Sequence, residues 1–293
     1  MTTFQGLISD TRLHLMTSSG ERIAQLQSGI DNVVTSLSLV SDAPWIKEGA
    51  ILGIDLEEMY VLTKAGTAVT MIRGFNNSTA AAHSANALIR INPKFTDYRL
   101  GKYVNQALED ASADGLFRIK NKDFLYKPAT STYNLDANDL IDIWRVRFDI
   151  PGPSQYWPDI PKCDWHLDQD ADPTDFPNSK SLHLQRGGYP SHKVRVSYKA
   201  SFAPLSAPAD DVVAVSGLHQ EAHKLMPLGA AIIALGGREV KRTFLDRQPE
   251  PRRQEEVPVG GASQAMLPLI RMYASELRRE RRRLRRKFPD QVY

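Results

Sequence analysis

The chain has 293 residues, 42% of them hydrophobic and 24% charged, with 37 basic and 34 acidic side chains. This is the make-up of a folded protein of about two domains, and it excludes a wholly disordered chain or a coiled-coil rod. No apolar run approaches the ~20 residues that cross a bilayer, and residues 1–20 lack the pattern of a secretory signal. The single cysteine, Cys163, cannot form an internal disulfide. The expectation is a soluble, unsecreted protein of a reducing cytosol with no membrane partner. Net charge is +3, but the excess is local: 15 basic against 8 acidic residues lie in 237–293, with 6 against 8 in 1–92 and 16 against 18 in 93–236. Such an end suits an acidic surface or nucleic acid, not a protein that coats a polyanion along its length.

Residues 3–16 set Phe4, Leu7, Ile8, Thr11 and Leu15 at helical spacing behind two candidate caps, Thr2 and Thr3. Ser18, Ser19 and Gly20 stop that helix. From 21 to 92 the texture is short β runs at 32–40, 50–54, 58–63, 68–73 and 87–91. Turn signals such as Lys64-Ala65-Gly66 separate them, and the spacing predicts a small barrel. Asn92-Pro93 ends it. Residues 94–113 return to helical period through Phe95, Tyr98, Val104, Leu108 and Ala111 before Gly115 closes the helix.

A second β region, 116–205, carries predicted strands at 123–127, 140–150, 180–185 and 193–202. In the last, Val194, Val196 and Tyr198 alternate with Lys193, Arg195, Ser197 and Lys199, so one face is buried and one wet. The stretch 151–178, rich in Pro, Asp and Trp, is too long for an idle connection; loops of that kind bind something or pack against a neighbour. Residues 218–247 read mainly as helix with a weak point at Gly236-Gly237. After a linker at 248–261, a last helix runs from about 263 to 287.

The last helix places Met266, Ile270, Tyr273 and Leu277 in steps of four and three, an apolar stripe that breaks at Glu280 and Arg281 and resumes at Leu284 and Phe288. Around it stand Arg278, Arg279, Arg281, Arg282, Arg283, Arg285, Arg286 and Lys287, the candidate residues for contact with a partner protein or with DNA. Three readings of this run stay open: a solvated helix end, docking on an acidic protein, and salt-dependent DNA contact without sequence preference. Tyr156, Trp157 and Trp165 of the long loop, with Tyr273 and Leu277, are candidate interface anchors, and the loop aromatics also have the chemistry to stack on a sugar.

Tests for chemistry come out negative. Asp168, Asp170, Asp172 and Asp175 begin like a calcium loop, but Pro173 stands where the turn needs Gly and Ser179 where a bidentate Glu belongs. Cys163 and His166 have finger-like spacing without a second cysteine, and His183 and His192 are too far off to complete a zinc set. His219 and His223 read as surface histidines beside Lys224, with Glu221 between them and not in the zinc-protease order. The glycine pairs at 187, 236 and 260 fit no dinucleotide or phosphate loop, and no serine or cysteine sits in an activated context. No catalytic, cofactor-binding or metal residue is assigned, and the chain is read as non-enzymatic.

The run from Gly53 to Tyr60, Val61-Leu62-Thr63, Ile72-Arg73-Gly74, Ser78-Thr79-Ala80-Ala81-Ala82-His83, and Asn92-Pro93-Lys94-Phe95 opening a helix with Asn105 near its centre, resembles a module of tailed-bacteriophage virion proteins. Pro227-Leu228-Gly229-Ala230-Ala231, Gly237-Arg238-Glu239 and a basic terminal helix ending in Phe288-Pro289 are similar to head-to-tail connector and neck proteins. The resemblance touches 21–289 and is strongest across 53–111. It implies a homo-oligomeric ring, twelvefold by the usual symmetry of necks, that packs on the portal and on other neck or tail-completion proteins around a DNA passage. Its location would be the virion neck, after synthesis in the host bacterial cytoplasm. Arg73, Gly74 and His83 themselves are read as shaping hairpin turns.

The expected fold class is α+β. It comprises an N-terminal helix (1–20), a small β-barrel (21–92), a connecting helix (93–115), a β-sandwich-like domain with the long loop 151–178 (116–205), and a helical C-terminal region (206–293). The expected function is a connector or adaptor ring joining portal to tail. The alternatives are a baseplate or tail-fibre-associated protein and a nucleic-acid-binding regulator.

Overall fold

Thr3, in extended conformation, accepts the amide of Gly6 on its side chain and starts helix α1 (Phe4–His14), which buries Phe4, Leu7, Ile8 and Thr11. The computed structural model describes residues 2–15, 21–150, 157–185, 190, 192–245 and 261–289, and side chains there except 237–245 and 261–265. Two compact units make up the chain: Met1–Asp110 with Pro204–Leu277, and Ala111–Ala203 with Arg278–Tyr293. The class is α+β, with antiparallel sheets and C-terminal helices.

In the first unit six strands follow α1: β1 (Arg22–Gln25), β2 (Ser36–Ser38), β3 (Ile51–Ile54), β4 (Glu57–Ala65), β5 (Ala68–Ile72) and β6 (Leu88–Ile91). They form one antiparallel sheet in the order β1-β6-β3-β4-β5-β2, curled into a half-barrel. Just past the ends of its two edge strands Leu26 bridges Leu39: the amide of Gln27 donates to the carbonyl of Ser38 at 2.8 Å, and that of Val40 to Gln25 at 3.0 Å. The inward positions, among them Leu37, Leu52, Ile54, Met59, Val61, Val69, Met71 and Ile89, fill the interior. Strand β5 shows the period of two most plainly, with Val69 and Met71 in and Ala68, Thr70 and Ile72 out.

The expected strand at 32–40 shrinks to Ser36–Ser38 because Asp31 accepts the amides of Val33 and Val34 on its carboxylate at 2.9 and 2.8 Å, a local turn that withdraws them from the ladder. β1 escapes the periodicity test because its four residues carry no buried side chain.

Helix α2 (Asp97–Ala113) buries Leu100, Val104, Ala107, Leu108 and Ala111. It begins later than the predicted 94, because the Thr96 hydroxyl accepts the amide of Arg99 as a cap. Farther along, Asp211 caps the short α3 (Val212–Ser216) and Gly217, at φ +76°, ends it, so helix α4 (Leu225–Leu245) starts later than the predicted 218. α4 crosses Gly236-Gly237 unbroken; its buried face from Leu225 to Ala234 carries it there by packing. α1 packs against α4, and Gly229 marks a close approach: a Cβ there would stand 3.0 Å from Cβ of Ala107 and 3.3 Å from the Tyr273 ring of helix α5 (Gly261–Lys287).

The second unit holds β7 (Arg118–Leu125), β8 (Thr132–Asn134), β9 (Leu140–Phe148), β10 (Trp165–Asp168), β11 (Ser181–Leu184) and β12 (Lys193–Ala200). Two three-stranded antiparallel sheets, β7-β12-β9 and β10-β11-β8, share a core that includes Tyr133, Leu140, Val146, Trp165, Leu182, Val194 and Val196. Within the predicted loop 151–178 lie a 3-10 turn (Lys162–Asp164) and β10, which pairs with β11 from Trp165↔Leu184 to Asp168↔Ser181. β12 buries Val194, Val196 and Tyr198 as its alternation predicts. Ser197 on the opposite face is buried too, donating to Asn121 at 2.6 Å and accepting from Arg147 at 3.4 Å.

The tight approach at Gly229 generates a prediction. Gly229→Leu must push α4 off Ala107 and Tyr273, and is expected to lower stability by about 1–3 kcal/mol, read as a lower urea midpoint with the far-ultraviolet spectrum retained.

Candidate functional site

Residues 55–58 turn β3 into β4 and place two adjacent carboxylates, Glu57 and Glu58, wholly out of solvent. A buried carboxylate is costly unless its oxygens are fully engaged. Glu57 is engaged five times. Arg73 grips it with two parallel bonds, Nε to Oε1 at 2.7 Å and Nη2 to Oε2 at 2.8 Å. The amides of Gly74 and Ala81 donate at 3.1 and 3.0 Å, and His83 Nε2 lies 2.9 Å from Oε2. The other imidazole nitrogen, Nδ1, is 2.9 Å from Asp55, whose φ is +48° at the turn. Arg73 also donates to the carbonyls of Asp31, Val34 and Ala81, so one guanidinium ties the 31–34 loop to the 73–83 segment.

Gly74 is required here by sterics. Its φ is +62°, and a Cβ would fall 2.9 Å from the carbonyl oxygen of Ser78. Glu58 points the other way, accepting from Asn76 at 2.6 Å and from the Thr96 hydroxyl, with Arg99 Nε at 3.3 Å. The two carboxylates thus fasten the 73–83 segment on one side and the start of α2 on the other. A second buried pair, Arg12 with Asp97, is completed by Glu21 at 2.8 Å and the carbonyl of Phe95 at 3.2 Å, tying α1 to the same end of α2.

Electrostatics follow from these contacts. Burial pulls the Glu57 pKa up, but Arg73, His83 and the two amides outweigh it and hold the group down to about 2. Burial pulls His83 down, and the hydrogen bonds and charges of Asp55 and Glu57 outweigh that and raise it. In the imidazolium both nitrogens donate, as two flanking carboxylates demand. His83 is only 1% exposed, at the wall of a cleft of about 600 Å³ lined also by Leu56, Ala82, Tyr98, Gly101 and Pro208.

The second surface of interest is the end of α5. Leu284 is buried, and Phe288 packs edge-on to Trp144 at 5.1 Å and against Phe117 at 6.0 Å, while the Trp144 indole donates to the carbonyl of Pro289 at 3.0 Å. Glu280, the residue that breaks the predicted stripe, is itself buried and holds Arg283 at 2.8 Å and Arg279 at 3.7 Å. Arg281 reaches Asp114 at 3.2 Å. Arg278, Arg279, Arg282, Arg285, Arg286 and Lys287 are exposed.

The structure brings the basic residues together on one helix end but disperses the predicted anchors. Tyr156 lies outside the described residues. Trp165 is a core residue, its indole donating to Ile160 at 3.2 Å, and so is not presented to a partner; strand alternation in β10 turns it inward. Leu277 is likewise buried and Tyr273 half-buried over Gly229, so helix packing within the chain takes both. Trp157 lies 4.3 Å from the Arg195 guanidinium, which is itself paired with Asp123. The exposed apolar positions of α5 are Leu267, Ile270 and Met272.

His223 is buried, not a surface residue: it follows a 3-10 turn (Gln220–Ala222) whose fold drives it inward, and burial lowers its pKa. Asp168 and Asp172 each accept an amide two residues on, and no metal-holding group of three ligands occurs among the described residues. Periodicity misses the Glu57 cluster. The signal available was a pair of acids inside an apolar strand, with Arg73 and His83 the nearby cations able to neutralise one. Scanned against family models and compared with curated proteins, the chain matches none.

Two expectations can be measured. Glu57→Ala strands the Arg73 and His83 charges and is expected to cost about 3–5 kcal/mol in urea denaturation. His83, raised on folding, contributes stability that is full below its ordinary 6.5 and is lost as pH climbs through the folded value. His223, lowered on folding, contributes stability that is present above 6.5 and lost as pH falls toward its folded value. Unfolding midpoints across pH should therefore show His83→Gln flattening the alkaline decline and His223→Gln the acid one. A wild-type pH profile in either variant contradicts the assignment.

Proposed function

We propose that the protein is an architectural subunit of a tailed-phage particle, a head-to-tail connector or adaptor that forms a ring on the portal around the DNA passage. The observation that carries this reading is the state of the residues that give the phage resemblance its strength. Glu57, Arg73, Gly74, Ala81 and His83 are engaged with one another, and His83 has both nitrogens occupied and almost no exposure. A cluster so saturated has nothing left to offer a substrate; its work is to hold a half-barrel in one shape, as a scaffold subunit requires. A ring also needs one patch on each copy to meet a different patch on the next. Leu267 and Ile270, exposed one turn apart on α5, supply an apolar patch of that kind.

Mass photometry of the purified chain with the portal protein is expected to show assemblies well above the 32.8 kDa monomer. A chain that stays monomeric and ignores the portal would sink the connector reading. Deleting 276–293 is a blunt test, because it removes Leu284 and Phe288 from the second unit together with the basic surface. Leu267→Glu with Ile270→Glu is cleaner. Both positions are exposed, so stability should change by less than about 1 kcal/mol while the assembly dissociates.

A further inference from the structure

We infer that the end of α5 is a binding surface for double-stranded DNA that grips the phosphate backbone without reading sequence. Every exposed residue from 278 to 287 is basic: Arg278, Arg279, Arg282, Arg285, Arg286 and Lys287. The one acid in the stretch, Glu280, is buried and faces Arg279 and Arg283. Arg281 has Asp114. Arg282, Arg285 and Arg286 have no acidic partner among the described residues. With Arg278 they stand at steps of four, three and one, a stripe along one side of the helix that flanks the side Leu284 and Phe288 anchor to the sheet. The stripe is therefore held in place by packing, while its charges remain in water.

The usual structural reason for such a run is the helix dipole, which favours cations at the C-terminus but fades beyond the last turn. It accounts for Arg285, Arg286 and Lys287 and leaves Arg282, one turn earlier, without an explanation. The choice of partner follows from what the surface lacks. A protein interface has an apolar or aromatic centre inside a polar rim, and the exposed side of 278–287 has no apolar residue at all. Single-stranded nucleic acid is held by bases stacking on aromatic rings, and Phe288 and Trp144 are occupied with each other. Phosphates ask only for arginine forks at intervals, and an i, i+4 step provides one about every 6 Å.

The inference rests on the helix geometry and not on the connector reading: DNA binding by a monomer stands even if no ring forms. Anisotropy of a labelled duplex, in two unrelated sequences, would be titrated with the full chain at several salt concentrations. Four phosphate contacts predict equal affinity for both sequences and a fall in log K with log salt of slope about −3.6, roughly a 10²-fold loss between 50 and 200 mM. Arg282→Gln with Arg285→Gln and Arg286→Gln should bring the slope to about −0.9, and Arg282→Gln alone should lower it by about 0.9. Lys122→Gln, an exposed charge on β7, should change neither by more than that single increment. Polyglutamate serves as the protein-like anion. Tighter binding to polyglutamate than to duplex would transfer the surface to an acidic protein. Absence of salt-dependent DNA binding, or wild-type binding by the triple variant, would overturn the inference.

Discussion

The half-barrel is organised by the burial of one negative charge. Glu57 sits at the start of β4 with no solvent to share its charge, and the chain around it is arranged to supply the missing partners. Arg73 at the end of β5, the amide of Gly74 in a left-handed turn, the amide of Ala81 and the imidazole of His83 all converge on two oxygens. Because Arg73 in turn donates to three loop carbonyls, the charge also sets the path of 31–34 and 73–83. Hydrophobic burial supplies most of the driving force in such a small barrel, but apolar contacts are non-directional. The bidentate guanidinium and the fixed amides decide which of several compact arrangements of those loops is adopted.

Glu58 extends the same constraint in the opposite direction. Its contacts with Asn76, the Thr96 hydroxyl and Arg99 set where α2 begins, and α2 is the helix against which Gly229 of α4 makes its close approach. Arg12 and Asp97 fasten α1 to that same helix start. The first unit is thus a curled sheet and a helical layer joined through paired buried ions at one end of α2. In the second unit the corresponding attachment is apolar: Phe288 against Trp144 and Phe117 holds the last turn of α5, and Arg282, Arg285 and Arg286 are left facing water.

Much of the fold is legible in the sequence where a period is strong and local. The alternation of Val194, Val196 and Tyr198, that of Val69 and Met71, and the helical spacing of Phe4, Leu7 and Ile8 each correspond to a real element facing the expected way. Short or sheltered elements are not legible. β1 has no buried residue to show a period, and β10 hides in a Pro-rich and Asp-rich stretch whose composition reads as loop. Of the site, the arginine run is plain in the sequence, because charge can be counted. The Glu57 cluster is not, because its members lie as many as 28 residues apart and only the hairpin folds them together.

The sequence by itself determined the class of the chain: mixed helix and strand, with a basic terminal helix. These follow from composition and from periods shorter than a dozen residues. Only the tertiary structure decided which polar residues hold the fold and which are offered outward. Trp165, Leu277 and His223 turned inward, and Arg282, Arg285 and Arg286 turned out. The reason is that burial depends on which elements come to lie against one another, and a side chain's own pattern constrains that only weakly. An acid inside a hydrophobic strand, such as Glu57, is ambiguous until an arginine from the far end of its own hairpin reaches it.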